Sequence, residues 1–245
     1  MPSKEAMLAP MVRKLALRAP IDAMDSQAIL ALPFTRRVMD PSTYLVREGD
    51  LPDQCAVIVS GFAFRQKITG GGARAIISLH IPGEILDLQH LVLDVADHNV
   101  QTLSSAMIAT VPRSALRELA RSHPGVAHAM TVNILVEASI FREWVVNVGR
   151  RDARARIAHL LCEFAIRLDK QGISAGQDYE LPMTQEQLAD AVGLTPVHVN
   201  RTLKLLEQDG LITRDKRKLA FPRWEALKAI SDFSSRYLHL AQQIA

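Results

Sequence analysis

Residues 184–212 read TQEQLADAVGLTPVHVNRTLKLLEQDGLI, and they decide the C-terminal part of the chain. Thr184 with Gln187 forms the Ser/Thr-x-x-Glu/Gln pattern of a capping box, which starts a short helix. Leu188, Ala191 and Val192 give that helix an apolar face. Gly193 takes the positive φ needed to end it sharply. Thr195 then supplies a second N-cap, and Pro196 occupies the first helical position, where a missing N–H costs nothing. Val199, Leu203 and Leu206 form the inward face of the second helix, and Asp209-Gly210 closes it. The small Ala189 sits where the two helices must approach closely. Two short helices joined by a tight glycine turn follow the plan of a DNA-reading helix-turn-helix, whose second helix enters the major groove. The competing reading is an ordinary αα-hairpin with a solvated polar face. Two caps in register, the glycine between them and the basic flanks argue against it.

The outward face of the second helix offers His198, Asn200, Arg201 and Lys204. Arginine bonds bidentately to guanine O6 and N7, and asparagine to adenine N6 and N7. Downstream, Leu211–Phe221 places two short apolar runs around a charged turn, which suits a β-hairpin wing. Arg214, Lys216, Arg217 and Lys218 would meet phosphates there, whereas alone such a charge run reads as a solvated loop. A final helix is expected over about Trp224–Gln242.

Upstream, the chain turns basic at Arg150, Arg151, Arg154 and Arg156. An amphipathic helix follows, with Ile157, Leu160, Leu161, Phe164 and Leu168 on one face. Residues 169–180, DKQGISAGQDYE, read as a polar loop. Before Arg150, the residues Ala127, Met130, Ile134, Glu137, Phe141, Trp144 and Val148 are spaced 3,4,3,4,3,4. That is a heptad-like seam with Glu137 as its one polar member. It suits a dimer helix over 125–149 with Met130, Ile134, Phe141, Trp144 and Val148 at the interface. The alternative is a helix packed on its own domain.

Residues 34–112 read as strands. Thr43–Val46, Cys55–Val59, Phe62–Phe64, Ala75–Leu79 and Ala106–Val111 are short β-rich runs punctuated by Gly49, Gly61, Gly70-Gly71-Gly72 and Pro82-Gly83. Such spacing suggests an antiparallel sandwich or roll. The triple glycine reads as a hairpin tip, since it lacks the Gly-Lys-Ser/Thr that completes a phosphate loop.

With 48% hydrophobic and 22% charged residues over 245 positions, the chain can bury a core, which excludes disorder of the whole. Two cysteines, Cys55 and Cys162, exclude a disulfide scaffold and a four-cysteine iron–sulfur site, and they fit a reducing cytoplasm. The N-terminus has no continuous apolar region of the signal-peptide kind, and no uncharged apolar run approaches the ~18 residues of a membrane helix. A soluble, cytoplasmic protein with no membrane partner is expected. Residues 1–149 carry 14 Lys/Arg and 14 Asp/Glu, and residues 150–245 carry 15 and 12, so the whole net charge of +3 lies in the C-terminal part.

A strand-rich N-terminal domain, a long connecting helix and a C-terminal winged helix resemble the Crp/Fnr superfamily of bacterial transcription regulators. The resemblance is carried by RRDARARIAHLLCEFA (150–165) and LTPVHVNRTLKLLEQDGLI (194–212), with Gly49, Gly61 and Pro82-Gly83-Glu84 in the roll. It implies an α+β chain: a sensor domain with a jelly-roll-like antiparallel β-roll over 1–124, a dimerisation helix over 125–149 and a winged helix-turn-helix over 150–245. It also implies a homodimer that binds inverted-repeat double-stranded DNA and acts with RNA polymerase. Thr184 and Gln185 would flank the first helix at the DNA. Thr195 matches the family's phosphate-contacting cap, followed by Pro196, and Arg201 matches its base-reading arginine. The family's cytosine-reading Glu is replaced by Val197, which would instead touch a thymine methyl.

The family's effector pocket would use Gly83, Glu84, Ile85 and Leu86. The phosphate-gripping Arg-Ser/Thr pair of cyclic-nucleotide binders has no counterpart, since no Lys or Arg occurs between Glu84 and Ala109 and the place holds Ala96-Asp97. The N-terminal cysteine cluster of the oxygen-sensing members is also missing. An effector other than cyclic AMP or an iron–sulfur cluster is therefore expected, and no cofactor is named. Asp87, His90 and Asp94 would share one helical face with a metal-compatible donor set, the plainer reading being a wet helix face, and no metal is assigned. No Gly-x-Ser-x-Gly, His-Glu-x-x-His or Gly-x-Gly-x-x-Gly occurs, so no enzyme is expected. A cyclic-nucleotide-binding-like regulatory subunit of a larger assembly, or a ligand-binding enzyme with an appended DNA module, are the readings from other classes.

Overall fold

The computed structural model describes residues 4–174 and 178–240. Two compact units divide the chain: Met1–Lys67, Ser78–Ser139 and Leu238–Ala245 form one, and Ile68–Ile77 with Ile140–Tyr237 form the other.

The N-terminal part of the chain, which holds all of the first unit's strands and the β4–β5 hairpin, is an antiparallel roll of two four-stranded sheets. One sheet has the order β1 (Thr35–Met39), β8 (Ala106–Pro112), β3 (Gln54–Ser60), β6 (Ile85–Leu86). The other runs β2 (Tyr44–Val46), β7 (Asn99–Thr102), β4 (Ala63–Ile68), β5 (Arg74–His80). The apolar runs in β3 and β8 are continuous because both faces of these strands are covered. Cys55 and Val57 with Ala109 and Val111 face one core, which α1 (Lys4–Ala16) closes with Met7, Leu8, Met11 and Leu15. Ile58 with Ala106 and Ile108 faces the second core, with Met39, Leu86 and Val100. Leu116 and Leu119 of α3 (Arg113–Ser122) and Val126 and Met130 of α4 (Pro124–Arg150) join the first core, as does Ile29 of α2 (Ala23–Ala31). The turn into β4 requires glycine: Gly61 has φ +80°, and a Cβ there would lie 2.3 Å from the Ser105 carbonyl oxygen. The triple glycine is the tip of the β4–β5 hairpin, closed by Thr69 N donating to Ala73 O at 2.9 Å.

The second unit centres on α5 (Ala153–Lys170), whose Ile157, Leu160, Leu161, Phe164 and Leu168 are all buried. The polar segment 169–180 is not loop throughout: Tyr179–Glu180 form β9, and the Tyr179 hydroxyl donates to Leu161 O at 3.1 Å. Its residues 175–177 lie outside the described residues. The expected helix 224–242 is broken. Helix α8 (Trp224–Ile230) ends where the Ser231 hydroxyl donates to Leu227 O at 3.0 Å, and Asp232 takes φ +48°. A short 3-10 turn, Ser235–Leu238, follows, and Ala241 and Gln242 lie outside the described residues.

Candidate nucleic-acid interface

Helix α6 (Gln185–Val192) opens on the complete capping box. Thr184 Oγ1 accepts from Gln187 N at 3.1 Å, and Gln187 Oε1 accepts from Thr184 N at 2.9 Å. Gly193 caps its far end at φ +65°, beside the buried Ala189. Helix α7 (Pro196–Gln208) starts at Thr195, whose hydroxyl accepts from His198 N at 3.2 Å. Val199, Leu203 and Leu206 are buried inward. Arg156 fixes the turn from behind: its guanidinium donates to Val192 O at 3.2 Å and Arg151 O at 2.8 Å.

The outward face of α7 presents Val197, Arg201 and Lys204 to solvent, and Val197 is 81% exposed. Spacings of three and four put Val197, Asn200, Arg201 and Lys204 on one stripe, where they line a shallow concavity with Pro196 and Gln185. His198 and Asn200 are half-buried, and His198 lies outside this concavity. Asn200 Nδ2 donates to Gln185 Oε1 at 3.1 Å, a link between the two helices that periodicity alone did not reveal.

Strands β10 (Thr213–Asp215) and β11 (Lys218–Ala220) form the wing, with β9 as a third strand beside β11. Lys216, with φ +54°, and Arg217 make its exposed tip. Arg214 is not available to phosphate as expected, because it is paired with Glu207 and holds that carboxyl below the usual range. The upstream basic cluster is likewise engaged, Arg151 with Glu143 at 2.6 Å and Arg154 with Asp209.

The residues expected to form an effector pocket are built into the fold instead. Gly83 N donates to Ile58 O at 2.7 Å, and Ile85 and Leu86 are buried in β6 against β3. Glu84 is buried and bound to Lys14 Nζ at 2.5 Å and His80 Nδ1 at 3.0 Å. Leu86 alone of the four reaches a cleft, which Arg37, Asp50, Asp53 and Asp87 also line. The expected shared face of Asp87, His90 and Asp94 does not form. That segment is a 3-10 turn (Leu88–Leu91) entered from left-handed Asp87, and Asp94 pairs outward with Arg113 at 2.7 Å. Asp87 Oδ1 accepts from Arg65 at 2.7 Å and His98 Nε2 at 2.9 Å. Burial alone would raise the Asp87 carboxyl, but His98 and Arg65 outweigh it and hold it well below the usual range. Arg65, on β4, also stands 3.9 Å from Glu137 of α4. Among the described residues no group of three or more His, Cys, Asp or Glu is placed to hold a metal ion. Both cysteines are free, and burial pushes each thiol up to about 12.

On α4, the heptad-like spacing selected a stripe that the structure splits. Met130 is buried in this chain's own core, and the buried Trp144 donates to Glu163 Oε2 at 3.0 Å, so neither is offered to a second chain. Ile134, Phe141 and Val148 are exposed, and an uninterrupted exposed stripe runs through Thr131, Ile134, Ala138, Phe141, Val145 and Val148, with exposed Leu135 and Val146 beside it. By length and composition alone α4 suffices to cross a membrane, but Glu137, Arg142 and Glu143 interrupt it.

Comparison with known proteins agrees with this architecture. Residues 36–123 match the cyclic nucleotide-binding domain family, and residues 155–230 match the Crp-like helix-turn-helix domain family. The transcriptional activator protein FnrL of Cereibacter sphaeroides is 25% identical over 210 residues, 84% of each chain. The nitrogen fixation regulation protein FixK of Azorhizobium caulinodans is 28% identical over 191 residues, 78% of this chain and 76% of that one. The structure of FixK2 from Bradyrhizobium japonicum matches with a TM-score of 0.76 at 22% identity, over 83% of this chain and all of that one. These relatives are regulators rather than enzymes. With both domain families matched in this order and the helix-turn-helix built as described, the chain belongs to the Crp/Fnr family of transcription regulators and carries its DNA-binding helix-turn-helix.

Proposed function

We propose that this regulator acts in the cytoplasm as a homodimer on an inverted-repeat operator, with α7 in the major groove and RNA polymerase as its downstream partner. In this reading residues 1–124 are the sensor, 125–149 the dimerisation segment and 150–245 the DNA-binding part. The observation that carries the reading is the stripe of exposed Val197, Arg201 and Lys204 with half-buried Asn200, on a helix whose entry is pinned by two caps and Arg156. Arg201 reads a guanine, Lys204 and the wing tip Lys216 and Arg217 meet phosphates with Thr184 and Thr195, and Val197 lies against a thymine methyl. His198, half-buried beside the stripe, faces the DNA backbone. The dimer uses the exposed part of the α4 stripe, which supplies apolar surface with no partner in the chain's own cores.

The roll responds to an effector that is neither cyclic AMP nor an iron–sulfur cluster. Arg65 is the cation nearest to Asp87, but that carboxylate and Glu137 already neutralise it, and Glu84 is bound by Lys14. A cyclic phosphate would have to displace buried carboxylates, at a large desolvation cost. Selection of DNA from a random pool by the purified protein tests the proposal. An enriched inverted repeat with half-sites about one helical turn apart, ~34–36 Å, is expected. Enrichment of a single unrepeated site, or of none, would overturn it.

A further inference from the structure

We propose that Gln185 is a positioning residue for base reading: it holds the Asn200 amide so that α7 reads an adenine beside the guanine read by Arg201. This rests on the reading of α7 as the recognition helix. Asn200 and Gln185 lie 15 positions apart on different helices, and their side chains meet at 3.1 Å through Asn200 Nδ2 and Gln185 Oε1. Both line the same concavity as Arg201, Val197 and Lys204.

The stoichiometry of the bond gives it this role. An asparagine amide has two N–H donors and one carbonyl acceptor. Gln185 takes one donor, so one Nδ2 hydrogen and Oδ1 remain. Those are the two groups that the major-groove edge of adenine requires, one for N7 and one for the N6 amino group. The link leaves that reading pair intact when Gln185 takes the Nδ2 hydrogen turned away from Oδ1, and it fixes the plane of the half-buried Asn200 amide. Gln185 is exposed, and its backbone is set by the start of α6. It is the first residue of α6, directly after the capping-box Thr184, and its own side-chain NH2 keeps both hydrogens for a backbone phosphate.

A support of this kind separates affinity from preference. Gln185→Glu keeps an oxygen to accept from Asn200 but places a negative charge at the phosphates. Gln185→Leu removes the acceptor. Asn200→Ala removes the reader. Each is measured against the selected operator, against operators with the adenine replaced by the other bases, and against one carrying 7-deazaadenine, which lacks N7.

In the wild type, replacing the adenine is expected to weaken binding about 5- to 100-fold, and 7-deazaadenine weakens it as well. Asn200→Ala abolishes that preference. Gln185→Leu reduces it several-fold while the preference for guanine, set by Arg201, stays. Gln185→Glu weakens all sequences together and keeps the preference for adenine. If Gln185→Leu discriminates adenine as well as the wild type does, or 7-deazaadenine binds as well as adenine, the positioning role is overturned. A wild-type protein with no base preference anywhere overturns the recognition-helix reading as well, and the persistence of guanine preference tells the two failures apart.

Discussion

Replacing Ile134 and Phe141 together with Asp should convert the proposed dimer to folded monomers. Relative exposures of 39% at Ile134, 48% at Phe141, 60% at Val145 and 39% at Val148 amount to about two whole apolar side chains per protomer. At about 1.5–3 kcal/mol per buried side chain, the seam supplies ~6–12 kcal/mol to a dimer. Against it stands an association cost of ~4–15 kcal/mol, so the seam has little surplus. The double substitution removes about half of the contribution and places like charges opposite each other across the two-fold axis. Sedimentation velocity should then show monomers, with an unchanged circular dichroism spectrum. Trp144 provides the contrast, since it is 6% exposed and bonded to Glu163, which also accepts from Arg167 at 3.0 Å and Tyr237 at 2.9 Å. Trp144→Ala should lower the unfolding midpoint, a loss of about 3–5 kcal/mol, rather than act on association alone. A double Asp variant that stays fully dimeric, or a Trp144→Ala protein that is as stable as the wild type, would refute this assignment of the two stripes.

Gly193→Ala should destabilise the C-terminal unit by about 1–2 kcal/mol, because φ is +65° there and the added Cβ would lie 3.1 Å from Val148 Cγ1; an unchanged urea midpoint would contradict this. His159 is buried between the Phe233 and Tyr237 rings, and burial with the neighbouring Arg151 lowers its pKa to about 3. Glu143 stands 3.3 Å from its Nε2, but that carboxylate is engaged by Arg151 at 2.6 Å. The unfolded chain takes up this proton near pH 6.5, about the ordinary value, while the native state refuses it until about pH 3. Its contribution is therefore complete above about pH 6.5 and is lost as pH falls, at up to ~1.4 kcal/mol per unit. Denaturation from pH 7 to 4.5 should show a steeper loss in the wild type than in His159→Leu, and parallel curves would contradict it. Calorimetry should detect no micromolar binding of cyclic AMP, and a clear binding isotherm would defeat the argument from the neutralised Arg65.

Local signals made the helix-turn-helix legible. Caps, a left-handed glycine and an N1 proline act within a few residues, so α6 and α7 fall where the sequence puts them. The central strands β3 and β8 were legible because burial on both faces writes a continuous apolar run. Strand β1 was not, because it is an exposed edge whose Arg36 and Arg37 face water. Strand β7 was hidden for the opposite reason: apart from Val100 its buried side chains are polar and bonded, Gln101 to Gln66 at 3.1 Å and Thr102 to Asp40 O at 2.6 Å. Helix α1 carries a readable face in Met7, Leu8, Met11 and Leu15, in a segment whose charges already argue against a signal peptide. Helical spacing in α4 could not choose between two adjacent stripes, since that choice depends on which side the chain itself covers. Lys14 meeting Glu84, seventy positions away, and Gln185 meeting Asn200 depend on tertiary contacts that no spacing encodes.

The most direct test of the central account is the binding of wild-type and Arg201→Ala protein to the selected operator and its point variants at several salt concentrations. A bidentate arginine–guanine contact is worth about 1–3 kcal/mol of discrimination per half-site. The account predicts that Arg201→Ala loses preference at one guanine in each half-site, keeps preference elsewhere and leaves the salt slope nearly unchanged. Lys216→Ala, by contrast, should weaken all sequences together and flatten the salt dependence. If Arg201→Ala weakens every sequence equally and leaves base preference intact, α7 does not read DNA through Arg201 and the account is contradicted.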